Sequence, residues 1–160
     1  MKLGLVLREL HRSEGELAHT LLVVADRHRV DHEVFHVARD LARWSQDHVR
    51  QIAAIAERYG ESLDPDDGGE AGLLAALRDK GSEAMGRLRE PGLLLLRDLR
   101  DVYLQASGVS VDWEMLAQTA QAIQHTDLLD VAERCRPQTL RQARWADSKI
   151  KESSTQVLVT

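Results

Sequence analysis

Glu14 and His48 are the two residues of this 160-residue chain whose types and positions could do chemistry in a buried setting. Each interrupts a run of mostly apolar positions. Read at steps of four and three, one run is Leu3, Leu7, Leu10, Glu14, Leu17, Leu21, Val24 and His28. The next is Val34, Ala38, Leu41, Ser45, His48, Ile52, Ile55 and Tyr59. That spacing is the mark of a helix with one buried face. If the chain reverses around residues 29 to 32, position numbers in facing layers add to 62. Glu14 then faces His48, and Leu17 faces Ser45. The result is a polar layer inside an apolar helix pair.

The remaining candidates are weaker. Glu16-x-x-His19 and Glu33-x-x-His36 have metal-ligand spacing, but neither pair uses the seam positions, so both read as surface pairs. His32 and His36 stand one helical turn apart and lack an evident third ligand. Cys135 lies on a later seam beside Arg136 and Pro137. With no histidine close in sequence, it reads as a buried structural thiol. Arg134, Arg136, Arg141, Arg144, Lys149 and Lys151 form a basic stretch, read as a solvated face answering the acidic loop from Asp64 to Glu70. Trp44, Trp113 and Trp145 read as packing or interface anchors. No Gly-rich phosphate loop, nucleophile elbow or Ser–His–Asp order is present.

Local signals define the elements that must position Glu14 and His48. A helix is predicted over 3–28, weakened at Gly4 and Gly15. Asp31 caps a second over 32–59, which Gly60 stops. The short link makes these helices antiparallel neighbours. Asp64, Pro65, Asp66, Asp67, Gly68 and Gly69 form a turn-rich break. A crossover helix is predicted over 70–88. Pro91 opens a helix over 91–124; Gly108 and the β-branched Val109 and Val111 leave its continuity there open, with Asp112 able to cap a restart. The last helix is predicted over 127–153, with Thr126 as its cap, a kink at Pro137 and a frayed tail from Ser154. Its seam is Leu128, Ala132, Cys135, Thr139, Gln142, Ala146 and Lys149.

Composition bounds the function classes. The chain can bury a core as one domain without disulfides. Its net charge of -5 argues against general attraction to nucleic acid or anionic lipid. The single cysteine suits a reducing, cytoplasmic setting. Arg8 ends the N-terminal apolar run early, and Leu93 to Leu96 is too short to cross a bilayer.

Two antiparallel helix pairs joined by a long crossover resemble the ferritin-like superfamily. The resemblance implies an all-α, antiparallel four-helix bundle with an extra helix in the crossover. In that family the first and third helices each give a glutamate to a di-metal centre, and the second and fourth each give a Glu-x-x-His pair. Carried over by position, Glu14 matches the first glutamate and His48 the histidine of the second helix. Ser45 replaces the glutamate that should precede His48. Gln142 and Trp145 replace the pair on the fourth helix. The third helix offers Ser107 near Ala106 to Val109 and no carboxylate. One carboxylate and one imidazole cannot balance two divalent ions. Glu14, Ser45, His48 and Gln142 are therefore read as a structural polar layer, with Glu14 and His48 a vestigial metal pair. The expectation is a non-enzymatic bundle without cofactor that acts through protein contacts, with homodimerisation motivated by Leu22, Leu94 and Trp145. The alternative is a metal-dependent oxidoreductase or iron-handling protein holding iron or manganese.

Overall fold

In a computed structural model describing residues 2–69, 72 and 90–160, Asp31 closes the first reversal. Its carboxylate accepts from the Val34 amide at 3.1 Å, satisfying a donor that has no partner within the helix. Helix α1 spans Leu3–Arg27 and helix α2 spans His32–Ala56. A 3-10 turn over Glu57–Tyr59 extends α2 and ends at Gly60, whose φ of 81° is the left-handed cap conformation. Helix α3 spans Pro91–Ala122, and helix α4 spans Thr126–Val159. Among the described residues the chain is all-α, with four long helices and no strand. The crossover helix predicted over 70–88 falls almost wholly outside the described residues.

Side-chain pairs fix the order of the helices. Glu14 meets His48 across α1 and α2. Arg58 meets Asp127, Gln51 meets Arg134, His48 meets Gln138, and Ser45 meets Gln142, so α2 and α4 run antiparallel. Arg27 and His28 reach Asp98 at 2.9 and 2.8 Å. Ser13 and Glu16 share a groove with Gln105, Val109 and Asp112. Helix α1 therefore runs antiparallel to α3 as well. Leu7, Leu10, Leu17, Leu21, Ile52, Leu99, Trp113, Leu116 and Leu128 are fully buried between the four helices. Each such side chain contributes about 1.5–3 kcal/mol as an upper bound.

One open point is decided and two local expectations are corrected. Helix α3 passes unbroken through Gly108, so Asp112 caps no restart. The buried series Val102, Ala106, Val109, Trp113 and Leu116 continues across that point. Packing of this series outweighs the roughly 1 kcal/mol that a helical glycine costs. Thr126 is the first residue of α4 and not its cap; His125 holds the cap position and makes no side-chain cap bond. Its ring instead pairs with the Tyr59 hydroxyl at 2.7 Å. The tail does not fray at Ser154, because α4 continues to Val159. Val157 packs over Gly92 at the start of α3, where a Cβ would lie 3.0 Å from both Val157 methyls. Helix α4 also runs on through Pro137.

Among the described residues, the segment from Glu61 to Asp67 is met by α1 and not by the basic stretch of α4. Glu61 takes two bonds from Arg8 at 2.9 and 2.8 Å. His11 Nε2–H donates to the Asp64 carbonyl at 2.6 Å. Gly4 and Gly15, the apparent weak points of α1, are where this loop crosses it. A Cβ on Gly4 would lie 2.9 Å from the Tyr59 carbonyl, and one on Gly68 would lie 2.9 Å from Gly15 Cα. The basic residues of α4 find other partners. Arg136 meets Glu114 at 3.4 Å, and Lys151 meets Asp147 at 2.8 Å. Lys149 is buried rather than solvated, and it pairs with Glu33 at 2.6 Å and Glu152 at 3.2 Å.

Candidate functional site: a buried polar layer

Each of the four helices places a side chain in one central layer. Helix α1 gives Glu14, α2 gives His48, α3 gives Trp113 and α4 gives Gln138. Glu14, His48 and Trp113 are fully buried. His48 is the hub. Its Nδ1 pairs with Glu14 Oε2, and its Nε2–H donates to Gln138 Oε1 at 2.6 Å. The Trp113 ring meets the imidazole edge-on, with centroids 6.2 Å apart and planes at 82°. One turn away, the Gln142 amide donates to the Leu41 carbonyl and to Ser45 Oγ, both at 2.9 Å. The four residues read from the sequence as a polar layer, Glu14, Ser45, His48 and Gln142, are thus brought together in the interior.

Protonation of the central pair follows from its surroundings. Burial pushes the Glu14 carboxyl above its ordinary range, against the opposing pull of His48. Burial pulls the His48 imidazole down, but the Glu14 charge and the bonds to Glu14 and Gln138 outweigh it and leave the ring above its ordinary value. Removing water penalises any net charge in the layer, which favours a pair that is neutral overall.

The donor set does not fit a di-metal centre. Both imidazole nitrogens are engaged, and Glu14 is the only carboxylate of the layer among the described residues. On α3 the position beside this layer carries an indole, Trp113, not a carboxylate. Among the described residues no group of three or more histidine, cysteine, aspartate or glutamate side chains stands close enough to hold a metal ion. Glu14 Oε1, Gln142 Oε1 and Trp113 Nε1 are buried without a hydrogen-bond partner among those residues. Such atoms cost about 1–3 kcal/mol each. The layer therefore specifies how the helices align more than it adds to stability.

Two members escaped the sequence reading. Gln138 precedes Gln142 by one turn on α4, and that spacing alone puts both amides on one face. Trp113 reads from the sequence as a packing or interface anchor, but its place in the polar layer depends on how α3 slides against α1. The other candidates disperse. Glu33 belongs to Lys149. His19 Nε2–H donates to the Gly69 carbonyl at 3.1 Å. His32 and His36 are exposed. Cys135 is buried, and burial, with the charges of Glu14 and Asp47, pushes its thiol up to about 12. Leu22 is also buried, Trp145 is partly buried against the core and Leu94 is half-buried. No described helix is long and apolar enough to cross a membrane. Comparison with protein-family profiles, characterised proteins and solved structures finds no match to this chain.

Proposed function

We propose that the chain is a non-enzymatic, ferritin-like four-helix bundle of the cytoplasm that acts through contacts with another protein. The observation that carries this reading is the closed state of His48: both ring nitrogens are bonded to protein groups, and a single carboxylate faces the ring. A layer built this way sets helix register and offers a metal no free imidazole nitrogen. The α1–α2 and α3–α4 hairpins, separated by a long connection, support the ferritin-like assignment. Exposed Leu104, Val111 and Met115 on α3 support the protein-contact assignment.

Elemental analysis of protein purified without chelators tests the proposal. The expected metal content is far below one atom per chain in both the wild type and Glu14→Ala. Near-stoichiometric iron or manganese in the wild type, lost in Glu14→Ala, would overturn it in favour of a metal-dependent oxidoreductase or iron-handling protein.

A further inference from the structure

Helix α3 carries a second apolar stripe besides the one it buries. Leu104, Gly108, Val111 and Met115 follow steps of four, three and four, which puts them on one side of the helix. Leu104, Val111 and Met115 are 49%, 53% and 50% exposed. A Cβ on Gly108 would meet nothing within 4 Å. The stripe therefore has large residues at its ends and a gap between them, over roughly 16 Å of helix. A facing helix can approach closely at such a gap.

The stripe borders the groove between α1 and α3. Ser13 and Glu16 line it from α1, and Leu104, Gln105, Gly108, Val109 and Asp112 line it from α3; its volume is about 190 Å³. Every polar side chain named there can accept a hydrogen bond. Gln105 Oε1 is buried and has no donor among the described residues. Neither Glu16 nor Asp112 has an ion-pair partner among those residues, and burial together with the nearby Glu9 charge raises the Asp112 carboxyl above its ordinary range. An acidic wall beside an apolar stripe calls for a cation on the same face as an apolar seam.

We infer that the α1–α3 face docks an amphipathic helix of a partner protein, its apolar residues on Leu104, Val111 and Met115 and a lysine or arginine side chain in the groove between Glu16 and Asp112. This rests on the protein-contact reading above and assigns that contact a surface and a partner chemistry. A second copy of the chain fits less well. An antiparallel two-fold pair of α3 helices would set the Glu16 and Asp112 carboxylates of both copies along the same edge, and each copy adds a net charge of -5.

The test uses two synthetic helical peptides of about eighteen residues, long enough to cover the stripe. Both carry leucine at steps of four and three; one is flanked by lysine and the other by glutamate. Fluorescence anisotropy with the full chain should show the lysine peptide bound at least tenfold more tightly. The Glu16→Lys, Asp112→Lys variant should reverse that preference. Val111→Glu, Met115→Glu should abolish binding of both peptides. Circular dichroism melts establish that each variant keeps the fold, which is expected because the replaced side chains lie outside the core. A lysine preference that survives charge reversal, or binding that survives the stripe variant, would overturn the inference. Sedimentation is run in parallel. A wild-type dimer dispersed by Val111→Glu would make the second copy the occupant, overturning this inference while leaving the protein-contact reading in place. A monomer that binds neither peptide would count against both.

Discussion

Glu14 Oε2 meets His48 Nδ1 at the centre of the molecule, with neither side chain reaching solvent. A buried ionic pair of this kind is costly to break and adds little when intact. Removing one partner strands the other in a water-poor interior. Glu14→Ala is expected to lower unfolding stability by about 3–5 kcal/mol. The double variant Glu14→Leu, His48→Leu should recover most of that loss, because apolar replacements fill similar volume without charge. Urea denaturation of the two variants and the wild type measures both effects.

The same pair makes stability depend on pH in one direction. The folded-state value of His48 is raised above the ordinary imidazole value, so the folded chain binds the proton more tightly than the unfolded chain. That contribution is fully present below about pH 6.5 and is lost as the pH rises through the raised value. Glu14 is shifted in the same direction and adds the same sign above the ordinary carboxylate value. Urea midpoints should therefore fall as the pH rises above about 6.5. In Glu14→Leu, His48→Leu the same series should be flatter.

Two glycines should respond oppositely to alanine. Gly68 has a φ of 82° and sits against Gly15. Gly68→Ala adds about 1–2 kcal/mol of backbone strain and a contact too short to keep, so the loop should lift from α1. Gly108 lies inside α3 with open space around it. Gly108→Ala should stabilise by about 0.5–1 kcal/mol. Thermal melts distinguish the two, and amide exchange at Asp64 to Gly69 reports the loop.

Cys135 should be silent toward thiol reagents in the native state. It is fully buried, and its thiol is held at about 12, so almost no thiolate exists at neutral pH. Labelling by a chromogenic disulfide should be absent from the folded chain and complete in urea. Rapid labelling under native conditions would show that α4 opens locally around this position.

The central pair was legible in the sequence because α1 and α2 are joined by a link too short to allow another register. Heptad spacing then places Glu14 opposite His48 without further information. The caps were legible for a similarly local reason: Asp31 and Gly60 act on the backbone beside them. The slide of α3 against α1 was not legible, since a long connection separates them and sequence spacing sets no register across it. That register brings Trp113, rather than the Ala106–Val109 region, beside His48. The close approach of Gly68 to Gly15 was equally hidden. Alone, Gly15 reads as a weak helical residue, and only the loop lying on α1 shows that the missing Cβ is what lets the two segments touch. Helix α4 likewise continues past Ser153 because Val157 finds Gly92. Local chemistry thus determined the helices and the facing pair, while packing between segments distant in sequence decided what completes the polar layer and which apolar stripe stays exposed.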